Sequence, residues 1–71
     1  MRVKNKLWQY REQMGLSQEQ LWRKSTVSRH AISEIELQKR IPSLKTALLL
    51  ARALECKVDD IFALEEDKGG N

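Results

Sequence analysis

Apolar residues recur along this chain at helical spacing, and no segment alternates apolar and polar positions for long. Leu7, Tyr10 and Met14 share one helical face, which predicts a first helix over residues 5–14 that stops at Gly15. Ser17 and Gln20 have the spacing of a capping box and open a second helix over about 18–24. In it, Leu21 and Trp22 stand side by side. A break follows at Ser25-Thr26 and Val27, and Ser28 is a second N-cap residue. Ala31, Ile32 and Ile35 then face inward from a third helix over about 29–37, leaving Arg29, His30, Ser33 and Glu34 on its outer face. Residues 38–42 read as a loop. Ser43, after Pro42, caps a fourth helix whose expected buried stripe is Leu44, Leu48, Ala51 and Leu54. A short fifth helix is expected over 59–64, with Asp59 and Asp60 suited to its positive end and Ile61 and Phe62 packing back. The pattern therefore predicts an all-α domain over residues 7–64, with a basic N-terminal arm at 1–6 and a disordered acidic, Gly-rich tail at 65–71.

With 71 residues there is room for one domain, whose small core would gain from dimerisation. Net charge is +3, but it is divided: residues 1–45 carry +6 and residues 46–71 carry −3. The basic half contains the second and third helices, as expected if that half approaches phosphates. The lone cysteine, Cys56, has no disulfide partner within the chain and is expected at a core position near the end of the fourth helix. One His, one Cys, no Gly-rich phosphate loop and no clustered carboxylates argue against an enzyme. A His30–Glu34 metal pair would lack a third ligand, so neither a metal nor a cofactor is expected. The start, MRVKNKLW, has no apolar stretch behind its charges, and the apolar run from Ala47 to Ala51 is too short to span a bilayer. A cytoplasmic protein, associated with the nucleoid through DNA, is expected.

Helix, turn and helix, with polar and basic donors opening the second of the two, suit entry into the DNA major groove. Across residues 7–62 the chain resembles the Cro/C1-type helix-turn-helix family, also called the Xre family. The resemblance is carried by Tyr10-Arg11, Gly15-Leu16-Ser17-Gln18, Leu21, Val27-Ser28 and Ile32-Ser33-Glu34-Ile35-Glu36. It continues through Lys39-Arg40, Pro42-Ser43-Leu44, Leu48, Ala51, Ala53-Leu54 and Asp59-Asp60-Ile61-Phe62. It implies a compact five-helix, lambda-repressor-like domain that binds operator DNA, usually as a dimer. The chain departs from the family pattern where Trp22 replaces a small residue, Thr26 and Gln38 replace glycines, and Lys57 replaces a Ser or Thr cap.

The functional expectation is a sequence-specific transcriptional regulator, more naturally a repressor than an activator, acting as a dimer with its third helix in the major groove. Arg29 is the first candidate for a base contact, because its guanidinium can donate twice to guanine; a phosphate contact is the alternative. His30 and Ser33 can reach a base or a phosphate. Glu34 can accept from cytosine, orient Arg29 or His30, or reject wrong bases. Gln18 and Ser28 are candidate phosphate ligands at helix starts. Lys39 and Arg40, in the loop after the third helix, are expected on the DNA backbone, where they give affinity and salt dependence; Arg2, Lys4 and Lys6 are weaker candidates. By resemblance, Arg11 and Glu36 form a structural ion pair. Trp8, Trp22, Leu37 and Leu49 occupy positions where relatives tend to be polar or small. The tryptophans are expected to fold onto the core, and if exposed these four residues would mark a protein-partner surface. The second functional reading is an antitoxin or interaction module with autoregulatory DNA binding.

Overall fold

The computed structural model describes residues 1–66. Its elements run β1 (Arg2–Asn5), α1 (Leu7–Gln13), α2 (Gln18–Ser25), α3 (Arg29–Glu36), α4 (Leu44–Ala53), α5 (Val58–Ile61) and β2 (Phe62–Glu65). The fold is thus mostly helical but not strictly all-α.

The correction lies at the two ends. The expected basic arm is strand β1, and the expected end of the fifth helix is strand β2. The strands pair antiparallel in the register Arg2–Glu65, Val3–Leu64, Lys4–Ala63 and Asn5–Phe62. An ion pair between Arg2 and Glu65 (3.1 Å) closes the outer end of the ribbon. At its inner end the Lys6 N–H donates to the Ile61 carbonyl (2.8 Å). Glu65 therefore belongs to a strand, while the Gly-rich end of the expected tail lies outside the described residues.

Local signals explain most helix boundaries. Ser17 Oγ accepts from the Gln20 N–H (3.0 Å) and Gln20 Oε1 accepts from the Ser17 N–H (2.8 Å), the reciprocal bonds of a capping box. Ser28 and Ser43 accept from the N–H groups of Ala31 and Thr46 (both 3.1 Å) and so open α3 and α4. Lys57 has no capping oxygen; the Asp60 carboxylate instead accepts from its N–H (2.9 Å).

Leu7, Leu21, Ile32, Ile35, Leu50 and Ile61 form the fully buried centre of the core. Tyr10, Leu16, Leu49, Cys56, Val58 and Phe62 pack against it. Burial, and to a lesser degree the nearby Asp60, push the Cys56 thiol pKa up.

Several apolar residues do not go where the pattern placed them. Trp8 and Trp22 are 53% and 42% exposed rather than folded onto the core, and Met14 is also exposed. Trp22 follows the fully buried Leu21. One residue is about 100° of helical rotation, which carries the ring off the inward face; it turns outward beside the Arg23 guanidinium. On α4, Leu44 and Leu48 are exposed, and the buried stripe is instead Ala47, Leu50, Ala51 and Leu54. The helix is apolar nearly all round, so its sequence allows both stripes.

The turn between α2 and α3 keeps the left-handed form although Thr26 stands there, at φ 66°. Ser25 is fully buried, and its Oγ accepts from the Val27 N–H (3.0 Å), which holds the turn. A β-branched residue in this region costs of order 1 kcal/mol. Thr26→Gly should therefore raise stability by up to about 1 kcal/mol, or roughly 4–8 °C in the thermal midpoint of a domain this small. A midpoint that stays put or falls would show that the turn stores no such strain.

Candidate nucleic-acid interface

α3 buries Ala31, Ile32 and Ile35 and turns Arg29 and His30 fully outward, with Ser33 and Glu34 half-buried beside them. All four expected base-reading residues therefore share the outer face of one helix. Arg29 opens that helix, and among the described residues its guanidinium makes no hydrogen bond or ion pair.

Glu34 is already engaged on two sides. Its carboxylate accepts from Arg40 (2.6 Å) and lies 3.3 Å from His30 Nε2, one helical turn back. It orients His30 and Arg40 rather than Arg29. Arg40 thus comes from the following loop onto the α3 face, whereas Lys39 stands exposed in the same loop. Ser28 uses its oxygen as the α3 cap, which leaves the hydroxyl proton free to donate.

The base of the interface is held by charge. Arg11 Nε and Nη2 donate to the two Glu36 oxygens (2.7 and 3.2 Å), and Nη1 donates to the Leu16 carbonyl (2.8 Å). Gln18 Nε2 also donates to Glu36 (3.0 Å). The Arg11 and Glu36 side chains are only 10% and 8% exposed. The hydrogen bond to Glu36 holds the Arg11 pKa above the ordinary arginine value despite partial desolvation. These contacts tie the end of α3 to α1 and to the start of α2. Gln18 therefore braces α3 through its side chain, while the start of α2 leaves backbone N–H groups without helical partners.

The sequence reading missed Asn5 and the use of Gln38. Helical spacing makes Asn5 the first residue of a helix, yet it ends β1 and its side chain bonds to α3 and to Gln38. An Asn two residues before the apolar Leu7 is an ordinary N-terminal signal and could have been read as one.

A helix-turn-helix family model matches residues 9–61, from within α1 to the end of α5. The chain belongs to the Cro/C1-type helix-turn-helix family. It is 46% identical over 66 residues to an uncharacterized HTH-type transcriptional regulator of Methanocaldococcus jannaschii, covering 93% of this chain and all of that one. It is 38% identical over 65 residues to the Bacillus subtilis HTH-type transcriptional regulator YgzD, covering 92% and 98% of the two chains. An Archaeoglobus fulgidus HTH-type transcriptional regulator is 32% identical over 66 residues, covering 93% of each. This is a family of DNA-binding transcription regulators and not of enzymes. Among the described residues of this regulator, no helix is long and apolar enough to cross a membrane and no group of His, Cys, Asp and Glu could hold a metal.

Proposed function

We propose that this regulator is a repressor that binds an operator as a homodimer, in the cytoplasm, with α3 of each copy in the major groove. The observation that carries the reading is the outer face of α3: Arg29, His30, Ser33 and Glu34 lie together on a helix whose far end is anchored by the Arg11–Glu36–Gln18 cluster. A recognition helix presents its first residues to base edges, so Arg29 and His30 read bases, and Ser33 and Glu34 complete the set. Gln18, Ser28, Lys39 and Arg40 hold phosphates around it. Two such helices about 34 Å apart would cover one turn of promoter DNA and block it sterically.

The dimer reading is supported by α4. Its exposed leucines Leu44 and Leu48, with Leu49, Lys45 and Arg52, line an open apolar groove. Such a surface on so small a domain fits self-association.

Selection of random duplexes by the purified protein tests the reading. Enrichment of an inverted repeat is the expected result, and weak binding without sequence preference would refute it. In the same assay Lys39→Ala should weaken all duplexes alike and reduce the slope of log affinity against log salt by about 1. An unchanged slope would remove Lys39 from the phosphate contacts.

A second reading has support in the exposure of Trp8, Trp22 and Leu37, at 53%, 42% and 60%. In it the chain is an antitoxin or interaction module that controls its own gene and holds a protein partner through those residues. Copurification of an unrelated protein, lost on Trp8→Ala or Trp22→Ala, would favour it.

A further inference from the structure

Four elements meet at Asn5: α1 and the end of α3 through its carboxamide, β1 and β2 through its backbone. Oδ1 accepts from the Leu7 N–H (3.0 Å) at the start of α1. Nδ2 donates to the Ile35 carbonyl (2.9 Å) at the end of α3 and to Gln38 Oε1 (2.9 Å) just beyond it. Asn5 also ends β1, paired with Phe62 of β2. Three of the four hydrogen-bonding capacities of one primary amide are thus in use. Aspartate would lack the donor, and serine would keep an acceptor but not the reach.

The partners matter as much as the bond count. The Ile35 carbonyl is among the last four of α3, which have no partner within the helix. It accepts from both the Gln38 N–H (3.0 Å) and Asn5. Gln38 sits at φ 62°, the left-handed region that favours glycine, and there its side-chain oxygen meets the Asn5 amide. The next residues are Lys39, whose N–H donates to the Glu34 carbonyl (2.8 Å), and Arg40, whose guanidinium reaches the Glu34 carboxylate.

We propose that Asn5, together with Gln38, is a positioning residue for DNA recognition: it clamps the end of α3 and the Lys39–Arg40 loop to the start of α1 and the β1–β2 ribbon. The inference rests on α3 being the reading helix. The Glu36 cluster anchors that helix through a side chain; Asn5 holds the backbone itself, one residue earlier. Without the clamp, α3 still packs through Ile32 and Ile35, but the register of its polar face against the loop is no longer held. Such loss falls on the preference for the operator, because non-specific binding needs only charge.

The readout is the ratio of affinities of the full chain for its selected duplex and for a random duplex. Asn5→Ser keeps an acceptor for the Leu7 N–H, carries no charge change and removes both bonds to the α3 end. It should lower the ratio about tenfold, as should Gln38→Gly, which deletes one bond while relieving left-handed backbone. Gln38→Glu keeps an acceptor for Asn5; its added charge weakens both duplexes, and the ratio should stay near that of the wild type. If Asn5→Ser fails to fold by circular dichroism, Gln38→Gly decides. An unchanged ratio in a folded Asn5→Ser, or in Gln38→Gly where Asn5→Ser does not fold, overturns the clamp alone, given a wild type that prefers its selected duplex. A wild type without such preference overturns the reading of α3 and the clamp with it.

Discussion

Replacing Glu36 with alanine is expected to cost about 3–5 kcal/mol of stability, the range for removing one partner of a buried ion pair. The Arg11 guanidinium would keep the Leu16 carbonyl (2.8 Å) and the distant Glu12 carboxylate (3.9 Å) but lose both close charged contacts. Gln18 would lose its acceptor as well. Arginine cannot shed its proton to relieve the penalty. Small domains often have a total stability of only about 5 kcal/mol, so much of the protein would unfold. Urea or thermal unfolding followed by circular dichroism measures this. Glu36→Gln, which keeps an oxygen acceptor without the charge, should lose less. A Glu36→Ala protein that folds with a near-wild-type midpoint but no longer binds DNA would make Glu36 a DNA contact rather than an anchor.

Arg29→Ala is expected to lower affinity for the selected duplex by about 1–3 kcal/mol, or roughly 5- to 150-fold, and to relax selection at one position of each half-site. Its cost to folding should stay within about 0.5 kcal/mol, because the side chain is exposed and makes no hydrogen bond or ion pair among the described residues. Base reading and phosphate binding separate cleanly here. A base contact changes which sequences are selected. A phosphate contact weakens all duplexes by one factor and lowers the salt dependence. Uniform weakening would therefore move Arg29 to the phosphate group of residues beside Lys39.

These two outcomes bear on different parts of one device. Arg29 stands at the open, N-terminal end of α3, and Glu36 closes the other end. The outer face can vary in sequence without disturbing the core, because Ala31, Ile32 and Ile35 point the other way. The closed end has no such freedom: Arg11 and Gln18 both donate to Glu36, which joins three helices.

The helices and the polar outer face of α3 were legible in the chain because their signals are local. Ser17, Gln20, Ser28 and Ser43 mark helix starts within a single turn, and the inward spacing of Ala31, Ile32 and Ile35 leaves Arg29, His30, Ser33 and Glu34 outward. The tertiary structure decided what depends on distant partners. Strands β1 and β2 are four residues each and pair across nearly the whole chain, so neither carries a periodicity long enough to read. The buried stripe of α4 was open because apolar residues surround that helix, and only its packing against α2 and α5 selects Ala47 and Leu50 over Leu44 and Leu48. Trp8 and Trp22 are large and apolar, which favours burial, yet the core is filled by Leu7 and Leu21 from adjacent positions and leaves the rings outside. Glu34 and Asn5 found their partners through the fold as well, Arg40 by loop closure and Ile35 by the docking of α1 on α3. Local hydrogen bonding and helical period are properties of a few consecutive residues, while pairing, packing choice and polar clamps are properties of surfaces that exist only once the chain has closed on itself.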